Sequence, residues 1–117
     1  MNYERMTLKL QEALQESTSI AQKKDHSEVG TEHLLFAFLT QQDGIVPPLV
    51  SNVGVDANYL ANETEKLLEK YPVVHGNASL SISNELQKIL AKSENAQNEL
   101  KDEYLSCEHV FFFFRDC

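Results

Sequence analysis

A shift of 76 positions lays this 117-residue chain over itself without a gap, so that Leu10, Gln11, Leu14, Ser17, Glu32, His33, Phe36 and Phe38 meet identical residues at 86, 87, 90, 93, 108, 109, 112 and 114. Apolar positions between these identities also correspond: Ala13, Val29, Leu34 and Leu35 lie opposite Ile89, Leu105, Val110 and Phe111. An internal repeat decides which residues are equivalent, and so limits the folds available. The second copy stops at Cys117, opposite Gln41, and the counterpart of residues 42–76 is missing.

Apolar residues in the first copy recur at helical spacing. Met6, Leu10, Ala13, Leu14, Ser17, Ile20 and Ala21 put one stripe of a helix over about Thr7 to Lys23 against a core, with Thr7 placed to cap it. Gly30-Thr31 opens a second helix, carrying Leu34, Leu35, Phe38 and Leu39 and running to Asp43-Gly44. A third, from Ile45 to Val53, holds Pro47 and Pro48 in its first turn, where a missing N–H costs nothing. Asp56 caps a fourth, with Leu60, Thr64, Leu67 and Leu68 on its inner side, and Tyr71-Pro72 ends it.

Residues 73–80 have no helical period and read as a connector. A fifth helix starts at Ser81 or Ser83, with Leu86, Ile89, Leu90, Ser93, Ala96 and Leu100 inward, and Ser106 caps a sixth through Val110 to Phe114. No window alternates long enough to be a strand. The expected fold is all-α: one domain over 1–117, with a four-helix repeat at 1–72, the connector at 73–80, and a partial repeat at 81–117.

A net charge of −8, from 18 acidic and 10 basic residues spread along the chain, disfavours nucleic acid as a partner. It suits polypeptide partners. No stretch is long and apolar enough to span a membrane and the N-terminus lacks a signal core, so the expected location is the cytoplasm. Cys107 and Cys117, without a CxxC spacing, are expected to be free thiols. No phosphate-binding loop occurs, and the four glycines are too scattered to build one. The chain is therefore expected to bind no ATP and no other cofactor, and to be no enzyme by itself. Glu32-His33 and Glu108-His109 offer no converging set of three or four ligands, so no metal is expected and both histidines read as residues packed at helix starts.

Met6-Thr7, the run Val29 to Leu35 and the run Asp43 to Leu49 together resemble the Clp N-terminal domain, a tandem repeat of a four-helix motif at the front of ring-forming, ATP-driven unfoldases and disaggregases. The proline-bearing third helix and the Tyr71 to Gly76 connector are most similar to the ClpB-type disaggregase branch. The likeness spans about Asn2 to Val110. It implies a substrate-recognition domain that engages unfolded or aggregated polypeptides and passes them to ATPase ring modules beyond Cys117. The alternative it implies is an adaptor-docking or phosphoarginine-reading domain of the ClpC/ClpA type.

That resemblance also singles out residues. Positions matching Thr7, Asp102 and Glu108 serve N-domain function in the disaggregase branch, and those matching Glu32 and Glu108 grip phosphoarginine in the ClpC branch. A shallow apolar groove between the first helices of the two repeats implies Leu10, Ala13, Ile89 and Leu90 as its lining. Each has a plainer reading beside this one: Thr7 as an N-cap, Asp102 as a solvated turn residue, the two glutamates as first-turn stabilisers of their helices, the apolar four as core.

The chain departs from the family at Phe111 to Cys117: Phe113 stands where the first copy has Ala37, and Arg115 where it has Leu39. A chain broken off or shifted in frame inside the second repeat is the expectation, with Val110 to Phe114 left as an exposed apolar run prone to association.

Overall fold

The computed structural model describes residues 6–74, 79–99 and 104–116. Six α-helices appear among them: α1 Leu8–Lys23, α2 Thr31–Thr40, α3 Val46–Asn52, α4 Ala57–Leu68, α5 Asn84–Glu99 and α6 Cys107–Phe112, the last running into a 3-10 turn over Phe113–Asp116. The fold is all-α, as expected, with one addition. Two residues of β1, Glu28–Val29, pair in parallel with two of β2, Ser81–Ile82. Strands this short leave no alternating pattern in a sequence.

Helix ends follow their local chemistry. Thr7 is extended and its hydroxyl accepts from the Leu10 amide at 3.2 Å, while Asp56 Oδ1 accepts from the amides of Asn58 at 2.9 Å and Tyr59 at 3.4 Å. Helix α2 ends three residues before the expected Asp43, because Gln41 turns extended and Asp43 takes a left-handed φ of 58°. Gly54, with φ 85°, follows α3 in the conformation glycine adopts at least cost.

The core is built from Leu10, Leu34, Phe38, Leu68, Leu86, Val110 and their neighbours, with α2 packed against α1 on one side and α4 on the other. Two inner stripes differ from expectation. On α4 the buried residues are Ala61, Thr64 and Leu68, while Leu67 is 44% exposed. On α5 Gln97 is buried and Ala96 half-buried, since position 97 lies one turn beyond Ser93 on the same face; Leu100 lies outside the described residues.

The expected exposed run at 110–114 is also corrected. Val110 is fully buried, Phe111, Phe113 and Phe114 are half-buried against the core, and Phe112 alone is exposed, at 55%. The ring of Phe114 lies 5.7 Å from that of Phe38, its own equivalent in the first copy.

The two copies are joined by exchanged backbone pairing. Thr7 N–H donates to the Leu105 carbonyl at 2.8 Å, and Ser83 N–H donates to the Val29 carbonyl at 2.9 Å. These are one interaction made twice, since residues 83 and 105 are the 76-shifted partners of 7 and 29. The side chains repeat it: Gln11 Nε2 donates to the Met6 carbonyl at 3.1 Å and Gln87 Nε2 to the Ile82 carbonyl at 2.9 Å. Ser83 Oγ accepts from the Leu86 amide at 3.1 Å, as Thr7 does from Leu10.

Because Leu10 and Leu86 are both fully buried at equivalent places, truncation of either to alanine is expected to cost about 2–5 kcal/mol, by lost burial plus the cavity left behind. Leu8, 69% exposed, is the control, and its alanine variant is expected to stay within about 0.5 kcal/mol of wild type in urea unfolding.

Candidate functional site

An apolar groove of about 350 Å³ opens between α1 and α5. Met6 and Ile82, which precede the two helices, and Leu14 and Leu90, a turn and a half inside them, face it as equivalent pairs, with Val29 and Leu86 alongside. Gln15 and Thr18 bring polar groups to its edge. Such a surface, apolar at the floor and polar at the rim, suits an apolar side chain carried on a peptide.

Of the four residues expected to line it, Leu90 does. Leu10 is 0%, Ala13 2% and Ile89 3% exposed; none of the three faces the groove, and Ala13 faces a hollow against α2 instead. The inner stripe of each helix is wider than one contact. Leu10 and Ile89 turn to the core, while Leu14, one helical turn beyond Leu10, lines the groove. Leu14 was findable, because it is the repeat partner of Leu90.

The two Glu-His positions share a frame and differ in surroundings. His33 Nδ1 accepts from the Gly30 amide at 2.9 Å, and His109 Nδ1 accepts from the Ser106 amide at 3.0 Å, so each histidine closes the start of its own helix. Ser106 stands at the N-cap of α6, and its hydroxyl lies 2.8 Å from His109 Nδ1.

Glu32 Oε1 receives the Tyr71 hydroxyl at 2.6 Å and the Thr31 hydroxyl at 3.1 Å. Burial alone would raise the carboxyl's pKa, yet the Tyr71 bond, its own backbone amide and Thr31 outweigh it and hold the group below the usual carboxylate value. Burial, then the Glu32 bond, pushes the Tyr71 hydroxyl far up, so it stays a donor. A side chain at Gly30 would collide with that same hydroxyl. Tyr71 was not legible as a site residue, since 39 positions separate it from Glu32.

Glu108 is exposed. It shares a hollow of about 290 Å³ with Thr7, Lys9, Asp43, Ile45 and Cys107, so the structure brings Thr7 and Glu108 together. Glu108 also edges a second apolar hollow, about 720 Å³, formed by Leu49, Val53, Phe111 and Phe112. Asp102 lies outside the described residues. Cys107 is a free, buried thiol whose pKa burial pushes up to about 11. Among the described residues no His, Cys, Asp and Glu groups of three or more are placed to hold a metal ion, and no helix is long and apolar enough to cross a membrane.

The model of the Clp repeat (R) N-terminal domain matches residues 5–114. The chaperone protein ClpB of Bacillus anthracis is 36% identical over 120 aligned positions, which cover 99% of this chain and 14% of that protein. Among solved structures, the N-terminal domain of Hsp104 from Candida albicans superposes with a TM-score of 0.82 at 19% identity, over 92% of this chain and 71% of that one. A ClpV N-domain in complex with a VipB peptide superposes at 0.79 and 18% identity, over 94% and 67%. At those identities the structural likeness speaks for the fold.

Tyr71→Phe removes the short bond to Glu32 and is expected to cost about 1–2 kcal/mol at neutral pH. Glu32, with its folded pKa depressed, contributes stability above its ordinary value of 4.5 that fades as pH falls below it. Urea unfolding across that range is expected to show a shallower acid loss in the variant than in wild type.

Proposed function

The chain belongs to the Clp repeat N-terminal domain family, and from that premise we propose that it is the client-recognition module of a ClpB-type disaggregase. It spans about 14% of the length of curated ClpB relatives such as that of Bacillus anthracis. In this reading residues 1–72 and 81–117 are two repeats, linked through 73–80, whose shared surface captures unfolded or aggregated polypeptide. ATP-driven ring modules elsewhere in a longer protein would then take up the captured segment, and ATP would bind there.

The observation that carries the reading is the groove between α1 and α5, with its floor of Met6, Leu14, Ile82 and Leu90. A volume of about 350 Å³ suits a few apolar side chains, so single contacts are weak and exchange quickly, as a module that must release its client requires. The net charge of −8 favours segments that pair apolar with basic residues. A ClpV N-domain bound to a VipB peptide supports peptide as the ligand class in this fold. An adaptor protein's segment would present the same chemistry to the same groove.

Leu14→Asp and Leu90→Asp each place a charge on the groove floor, and each is expected to weaken binding of a permanently unfolded apolar-basic client at least about tenfold, since burying an unpaired carboxylate costs well over 1.4 kcal/mol. Fluorescence anisotropy with the labelled client measures this, with circular dichroism to show that the helices persist. Unchanged affinity in both folded variants would move the site elsewhere.

A further inference from the structure

Behind Glu32 runs a string of hydrogen bonds whose proton positions all follow from one backbone amide. The Gly30 N–H can only donate, and it meets His33 Nδ1 at 2.9 Å, so that nitrogen carries no proton. His33 is then protonated on Nε2, and this N–H donates to His26 Nδ1 at 2.8 Å. Both rings are neutral. A proton arriving at His33 Nδ1 would confront the Gly30 amide, and one arriving at His26 Nδ1 would confront the His33 N–H. Neither ring can charge without breaking a bond.

Tyr71 closes the set. Its ring stacks on His26 with centroids 5.2 Å apart and meets His33 edge-on at 4.6 Å, while its hydroxyl holds Glu32. The same turn anchors the chain that follows α4: His26 forms an antiparallel bridge to Val73, and the Val74 amide donates to the Asp25 carbonyl at 2.8 Å. His26 and His33 are 6% and 0% exposed. The charged groups acting on the set are Lys24 and Asp25 from the turn, Glu28 from β1, Glu32 from α2 and Glu85 from α5.

We propose that His26, His33 and Tyr71 form a proton-operated latch, closed at neutral pH, whose opening on acidification releases Glu32 and the Val73–Val74 segment from the α1–α2 turn. Burial first, then the neighbouring His26 and Lys24, pushes His33 down to about 4, and burial and Lys24 lower His26. With the closed-state pKa lowered, the latch keeps its full stability above the ordinary histidine value of 6.5 and loses it as pH falls from there towards 4. For His33 alone, the ratio of closed to open falls by about 30-fold between about pH 7.5 and about pH 5. Glu32, with a pKa held below 4.5, stays ionised across that window and leaves the sign unchanged.

The Val74 amide reports the latch directly through hydrogen exchange. After correction for intrinsic exchange, its protection is expected to drop about 30-fold from about pH 7.5 to about pH 5, while the Leu90 amide in α5 holds. In the double variant His26→Asn/His33→Gln, the side-chain carbonyl introduced at position 33 can accept from Gly30 and the amide beside it can donate to the side-chain carbonyl introduced at position 26, with nothing left to titrate. That variant is expected to show no more than about a threefold change. Constant Val74 protection in wild type, an equal drop in the double variant, or Val74 and Leu90 falling together would each overturn the latch. Should the double variant not fold, wild-type imidazole nitrogen shifts decide: His33 neutral and protonated on Nε2 at about pH 5.5 supports it, and ordinary titration of His33 near 6.5 overturns it.

Discussion

Everything in this molecule depends on the exchange of backbone pairing between its two copies. Each copy donates the amide at the head of its first helix to a carbonyl just before the second helix of the other, through Thr7 to Leu105 and Ser83 to Val29. A copy standing alone would leave both groups unpaired, in a position where burial makes that costly. The pairing also sets the course of the chain around it. By fixing Met6 and Ile82 beside their partner strands, it starts α1 and α5 side by side, and so creates the groove those two residues help to floor. Fold and candidate binding surface thus have one origin.

Equivalence in sequence is not equivalence in environment, and the two glutamates illustrate the difference. Glu32 and Glu108 occupy the same place at the start of a helix, each followed by a histidine that turns back to the helix's leading amide. Around Glu32, Tyr71, three residues past the end of α4, supplies a hydroxyl, and one carboxylate oxygen is already engaged. Glu108 stands exposed at the edge of two hollows, one lined by Thr7, Lys9 and Ile45 and one by Leu49, Val53 and Phe111. A ligand seeking a carboxylate meets two sites that differ in what must first be displaced.

The 76-residue shift made the helices and their equivalences legible, because helical periodicity and capping residues act locally. It did not separate groove from core. Leu10 and Leu14 lie on one stripe of α1, and only the tertiary packing decides that the first is covered and the second borders open space. The two-residue strands were invisible for want of any period. The set of His26, Glu32, His33 and Tyr71 was hidden for a different reason. His33 and Tyr71 meet only because α4 returns along α2, and a contact made over that distance leaves no mark on local composition.

The most direct test of the account is to map amide chemical shifts of the labelled protein as an unfolded apolar-basic client peptide is titrated in. The largest changes are expected on Met6, Leu14, Thr18, Ile82 and Leu90, on both sides of the groove at once. Changes confined to Leu49, Val53 and Phe112, with the α1–α5 groove silent, would contradict it.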